Sequence, residues 1–140
     1  MSKYDYVIGI DTGVNTGFAV WSVKEQKFTE ISTLPIHVAM QKVQDISNTE
    51  YDVLVRFEDA RQRKWFGNAG REQLQGAGSI KRDAGIWEGF LTDLGVTFDM
   101  VAPKNNKTKL TQETFKKLTG WDGRTSVHAR DGAMMAFGYK

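Results

Sequence analysis

An α/β fold built on a mixed sheet is expected for this chain, on three observations. The first three apolar runs follow one another with only short polar breaks, as in an antiparallel meander. The later β-branched runs are separated by segments whose apolar residues recur at helical spacing, as in crossover connections. A length of 140 residues, 40% of them hydrophobic, suffices for one buried core and is too short for two, so one domain is expected over residues 1–140.

The elements follow in order. Tyr4 to Ile10 reads as a buried strand in which Tyr6, Ile8 and Ile10 alternate with Val7 and Gly9, broken at Asp11, Thr12 and Gly13. Gly17 to Val23 and Lys27 to Leu34 are two further strands, joined by a polar turn at Lys24, Glu25 and Gln26. Pro35 opens a helix, where its missing N–H costs nothing, and Ile36, Met40, Val43 and Ile46 form a core-facing stripe that stops before Asn48. Val53 to Phe57 is a strand that ends on Glu58. From Glu72 to Leu94 the residues Leu74, Ala77, Ile80, Ala84, Trp87, Leu91 and Leu94 mark a long amphipathic helix. Gly76, Gly78 and Gly85 are costly inside it, which a closely approaching second helix would explain. Val96 to Val101 is the last strand, broken by Pro103, and Thr108 to Leu118 and Val127 to Tyr139 are the last helices.

Composition narrows the function classes. With 19 Lys and Arg against 17 Asp and Glu, the net charge of +2 favours no partner, so any nucleic-acid surface has to come from the distribution of charge. The absence of cysteine excludes disulfides and thiolate metal sites and suits a reducing cytoplasm. The N-terminus opens on charged and aromatic residues, no stretch approaches the roughly 20 apolar residues of a membrane span, and a cytoplasmic protein is expected.

Chemistry is expected where strands end. Asp11 and Glu58 each stand where an apolar strand stops, and ligands in open α/β sheets collect at the carboxyl ends of strands. If the two strands are parallel neighbours, both carboxylates emerge at one edge. Singly, Asp11 reads equally well as a turn cap and Glu58 as the first exposed residue after a strand. In Val127 to Ala136, VHARDGAMMA, His128 and Asp131 are three residues apart and share one helix face. An imidazole beside a carboxylate suits a divalent cation or a general base, while a first-turn carboxylate favoured by the helix dipole is the plainer alternative. Ala133, Met134 and Ala136 imply that this helix packs on the sheet.

Five segments in register carry a resemblance. IGIDTGVNTGFAVW (Ile8 to Trp21), VRFEDARQ (Val55 to Gln62), GAGSIKRDAG (Gly76 to Gly85), VAPKNNK (Val101 to Lys107) and HARDGAMMA (His128 to Ala136) are similar, in order, to the motifs of RuvC-type Holliday junction resolvases. The resemblance implies a ribonuclease H-like fold with a five-stranded mixed sheet and flanking helices, and a homodimer, expected through the long helix 72–94. It also implies two Mg²⁺ or Mn²⁺ ions per active site and hydrolysis of phosphodiesters in four-way and other branched DNA. Carried over by position, Asp11, Glu58 and Asp131 would be metal ligands and catalytic groups, with His128 a further ligand or a positioner of the attacking water. The family's intercalating aromatic after the second acidic motif has no match, since Arg61 stands three residues beyond Glu58.

Basic residues suited to DNA gather in two places. Arg61, Arg63, Lys64 and Arg71 flank Trp65 and Phe66, a mixture for phosphates and a base face, and Lys104, Lys107 and Lys109 follow the last strand. Lys116 and Lys117 read as a solvated face, and Glu72, Asp83 and Glu88 as solvated or interfacial. DTGVNTG also resembles the first phosphate loop of sugar-kinase and actin-like ATPases, but those need two domains and a second such loop. A non-catalytic module for branched DNA and an RNA-processing nuclease of related fold are the other readings.

Overall fold

In the computed structural model, residues 3–59, 71–102 and 108–140 are described, those of 71–80 by their backbone alone. Five strands form one sheet: β1 (Tyr6–Asp11), β2 (Asn15–Ser22), β3 (Lys27–Pro35), β4 (Val53–Glu58) and β5 (Thr97–Val101), in the order β3-β2-β1-β4-β5. The meander β1–β2–β3 is antiparallel, and β4 and β5 add in parallel to β1. The mixed sheet expected from the sequence is the one observed. Among the described residues four helices connect or follow the strands: α1 (Ile36–Ser47), α2 (Arg71–Leu94), α3 (Gln112–Thr119) and α4 (Val127–Ala136). Among the described residues no helix is long and apolar enough to cross a membrane.

The two faces of the sheet carry different cores, because successive side chains on a strand point to opposite sides. Ile8 and Ile10 of β1, Phe18 of β2 and Val55 and Phe57 of β4 pack with Ala39 and Val43 of α1 and Ala84, Trp87 and Leu91 of α2. Val7, Ala19, Trp21 and Leu54 pack on the other face with Phe115 of α3 and Ala133 and Ala136 of α4. The alternation puts Asp11 in phase with Val7 and Gly9, and Glu58 in phase with Leu54 and Arg56, so both carboxylates belong to the face that α4 covers.

Several boundaries differ from those read in the sequence. The first strand begins at Tyr6 and takes in Asp11, which pairs with Gly17 across β2. The third helix starts at Gln112, four residues later than expected. Lys109 adopts a left-handed φ of 58° and Thr111 caps the helix by accepting from Thr114 N–H at 3.1 Å, so the apolar spacing that begins at Thr108 precedes the first turn. The last helix stops at Ala136, where Phe137 turns extended and Gly138 takes a φ of 76°. Among the described residues, nothing lies within 4 Å of where a Cβ on Gly85 or Gly89 would stand, so those α2 glycines serve no contact with the described parts of this chain. Asp83, expected to be solvated or interfacial, is buried in this chain, with Arg82 at 3.6 Å.

Close approach occurs on the opposite face. A Cβ on Gly17 would stand 1.8 Å from the His128 carbonyl oxygen, one on Gly9 2.1 Å from that of Gly132, and one on Gly132 2.9 Å from the Gly17 carbonyl. All these neighbours are backbone, so α4 lies directly on β1 and β2 with no side chain between. Both ends of α4 are also tied. Ser126 caps its start, accepting from Ala129 N–H at 3.0 Å, and hydrogen-bonds Thr33 of β3. Arg56 of β4 donates to the Met135 carbonyl at 2.8 Å, placing a cation at the negative end of the helix dipole.

Gly132→Ala tests this contact. Helix propensity alone would make the change stabilising by about 1 kcal/mol. The overpacked backbone contact instead predicts a loss of about 2 kcal/mol or more. Chemical denaturation of the two proteins reads the sign directly.

Candidate functional site

The carboxyl ends of β1 and β4 and the first turns of α4 meet in one cleft. The last registered pair of the parallel ladder is Ile10 with Phe57, so Asp11 and Glu58 stand side by side one residue further on. Because α4 is seated on Gly17 and Gly9, its first two turns lie over that edge and bring His128 and Asp131 to it. The cleft, of about 520 Å³, is lined by Asp11, Thr12, Gly13, Glu58, Thr108, Lys109, Val127, His128 and Asp131. Two other concavities, of about 210 and 310 Å³ at the opposite end of the sheet, each have a single carboxylate in their lining. The size suits a small ligand or a few nucleotide atoms.

Electrostatics in the cleft are unfavourable to its own carboxylates. Burial pushes the Asp11 carboxyl from its ordinary 3.8 up to about 6. The hydrogen bond between Asp11 Oδ2 and His128 Nδ1, at 3.0 Å, pulls the other way, while the charges of Asp131 and Glu58 push further up. Burial also raises Asp131, opposed by the Lys109 backbone N–H, which donates to Asp131 Oδ1 at 2.8 Å, and by His128, Arg130 and Lys109. Glu58 is buried at 6% exposure, and so is its neighbour Asp59, whose N–H extends the ladder to the Val101 carbonyl at 2.8 Å.

Three carboxylates and an imidazole form a hard, mostly oxygen donor set of the kind that suits Mg²⁺ or Mn²⁺. A bound dication would favour the ionised form of Asp11 against the burial, and secondarily the neighbouring carboxylates, that raise it. Among the described residues, no three Asp, Glu or His side chains are gathered closely enough to hold one ion as they stand. Asp131 Oδ1 accepts from Lys109 N–H, and Asp11 Oδ2 is hydrogen-bonded to the imidazole.

The remaining sequence candidates divide. Lys109 lines the cleft. Arg61, Arg63, Lys64, Trp65, Phe66, Lys104 and Lys107 lie outside the described residues, and Arg71 opens α2 with its side chain outside them. Lys116 and Lys117 occupy the last turn of α3, where the helix dipole favours cations, and Lys116 pairs with Asp122 at 3.2 Å. Sequence reasoning passed over Gly9, Gly17, Gly132 and the buried Asp59. Gly132, inside a helix of otherwise apolar and small residues, and glycines inside buried strands are the signals that mark such a close approach.

A mixed sheet of this order with helices on both faces is the ribonuclease H-like α/β architecture. The solved structure of T. thermophilus RuvC in complex with Holliday junction substrate matches it with a TM-score of 0.60, over 94% of this chain and 90% of that one, at 16% identity. The likeness is one of fold. No protein-family model and no curated protein matches the sequence.

The raised Asp11 carboxyl has a measurable consequence in metal-free protein. Its folded value of about 6 lies above the ordinary 3.8, so the folded state holds the proton more tightly, and ionising Asp11 costs stability as the pH rises through 6. The full cost is about 3 kcal/mol at most. Asp11→Asn in EDTA is therefore expected to raise Tm at pH 8, with the gain shrinking towards zero as the pH is lowered to about 4. A lower Tm than the parent's at pH 8 would contradict the assignment.

Proposed function

We propose that this protein is a metal-dependent endonuclease that hydrolyses phosphodiesters in Holliday junctions and other branched DNA. The observation that carries the reading is one cleft, in a RuvC-like fold, lined by Asp11, Glu58, His128 and Asp131 from three separate elements. Two divalent ions, Mg²⁺ or Mn²⁺, would supply the activated water and the stabilisation of the leaving oxygen. Asp11, Glu58 and Asp131 would hold them, each presenting carboxylate oxygens from a rigid element end. His128, already hydrogen-bonded to Asp11, keeps that carboxylate oriented and offers a second nitrogen to a ligand or to water.

Substrate binding is assigned to the chain's own cations. Lys109 at the rim of the cleft contacts phosphate, with Lys104 and Lys107 beside it in sequence. Arg61, Arg63, Lys64 and Arg71 grip the backbone beyond Glu58, and Trp65 or Phe66 stacks on an unpaired base at the branch point. Symmetric nicking of a four-way junction needs two such clefts, and α2, with open space beside Gly85 and Gly89 among the described residues and with Ile86 exposed, is the proposed two-fold contact. A site of action in the cytoplasm accords with the absence of cysteine.

Incubation with four-way, Y-shaped and linear DNA, with and without Mg²⁺, tests the reading. Mg²⁺-dependent cleavage of the branched substrates is expected. Asp11→Asn, Glu58→Gln and Asp131→Asn should each slow it roughly a hundredfold or more, as befits groups that hold ions stabilising the transition state. Binding of the junction should survive, because it rests on basic residues. Full cleavage by Asp11→Asn refutes the assignment, and tight junction binding without cleavage by the parent protein supports the non-catalytic module instead. Light scattering at micromolar concentration is expected to give a dimer, and a monomer with and without DNA would remove the α2 contact.

A further inference from the structure

Next to Asp131 in the chain is a buried cation that does not itself line the cleft. Arg130 of α4 is buried at 7% exposure, and its hydrogen bonds among the described residues go to neutral oxygens. Nε donates to the Leu110 carbonyl at 2.7 Å, and Nη1 donates to the Thr125 carbonyl at 2.6 Å and to Thr125 Oγ1 at 3.0 Å. Taking a guanidinium out of water for neutral acceptors is costly, so the group is explained by what it holds in place.

What it holds adjoins the cleft. Asp131, the next residue, accepts the N–H of Lys109, the residue before Leu110. Two consecutive helix residues thus grip two consecutive residues of the segment entering α3, a cation on a carbonyl beside a carboxylate on an amide. Lys109 has a φ of 58°, a region unfavourable for a residue with a side chain, and such a conformation persists only where surrounding contacts impose it. Thr125 lies just before the Ser126 cap, so the same guanidinium ties the entry of α4 to the entry of α3.

We propose that Arg130 is a positioning residue. By pinning Leu110 and Thr125 to α4 it keeps the Lys109 amide against Asp131, which fixes the orientation of that carboxylate and keeps Lys109 at the rim. Its effect on turnover rests on the nuclease reading above, whereas the clasp itself is read without catalysis.

Amide hydrogen exchange on the full chain, free of metal and DNA, reports the Lys109 N–H directly. In Arg130→Met that amide is expected to exchange at least about tenfold faster, the ratio that a hydrogen bond to a charged group is worth, with β1 and β2 amides unchanged. On a four-way junction in Mg²⁺, kcat should fall about tenfold or more while KM moves less than about threefold, since the lost interaction orients a reacting group and not the substrate. Arg130→Lys, whose ammonium can reach the same carbonyls, should recover part of both losses. Unchanged Lys109 exchange in Arg130→Met, or a kcat loss that Arg130→Lys leaves as deep, overturns the proposal. If Arg130→Met loses protection in β1 and with it the fold, Thr125→Val carries the test. That change removes one acceptor of the guanidinium and should speed Lys109 exchange about threefold, and no change there overturns the proposal equally. A parent protein that cleaves no junction refutes the nuclease reading and leaves the exchange result standing.

Discussion

The seating of α4 on the sheet without intervening side chains governs the rest of the molecule. Three glycines, Gly9 and Gly17 on the strands and Gly132 on the helix, let carbonyls of each element come within the space a methyl group would need. The helix side of the cleft inherits its position from this contact. Asp11 faces α4 because it shares the phase of Gly9, and His128 reaches Asp11 because its own carbonyl lies over Gly17. Moving α4 outward by the width of one methyl would break that bond and separate the two acidic strand ends from the helix residues that complete the cleft.

The ends of the helix show how a fixed seat is kept fixed. Thr33 and the Ser126 cap hold its start, and Arg56, pairing also with Asp99 at 3.8 Å, holds its last carbonyls from the sheet. Trp21 and Gln26 bind the Tyr139 carbonyl at 2.9 Å each, so the chain beyond the helix is tied to β2 and the turn after it. This rigidity lets the molecule keep a buried carboxylate in an unfavourable ionisation state. A looser helix would let water in beside Asp11 and relax the strain that burial imposes on it. Stability is given up at the cleft and regained in the aromatic and aliphatic cores on the two faces.

Much of the fold was legible because it follows from periodicity. The meander and the α1 stripe could be read from alternation and helical spacing, and the acidic strand ends from the abrupt change of composition after Ile10 and Phe57. The start of α3 was not legible, because Thr108 to Leu110 continue its spacing while Lys109 sits in a left-handed conformation that no spacing reveals. Gly132 reads locally as a weakness in a helix, and only the tertiary contact turns it into a requirement. Nothing in the spacing of α4 singles out Arg130, which is buried and whose partners lie 20 and 5 residues away along the chain. Asp59 was hidden by its neighbour, one acidic residue after another giving no hint that both are enclosed.

The seam between α4 and the sheet also sets what variation the molecule can tolerate. Where carbonyl meets carbonyl-bearing backbone, no compensating side-chain change on the partner can make room, so positions 9, 17 and 132 are closed individually and in combination. The cleft rim is built the other way. Thr12, Thr108 and Val127 contribute side chains that no hydrogen bond in the described structure commits to the frame, and they border the same cleft. Drift among related sequences should therefore concentrate on the rim while the seam stays frozen, and a designer seeking altered substrate preference can work there without disturbing the helix that carries His128 and Asp131.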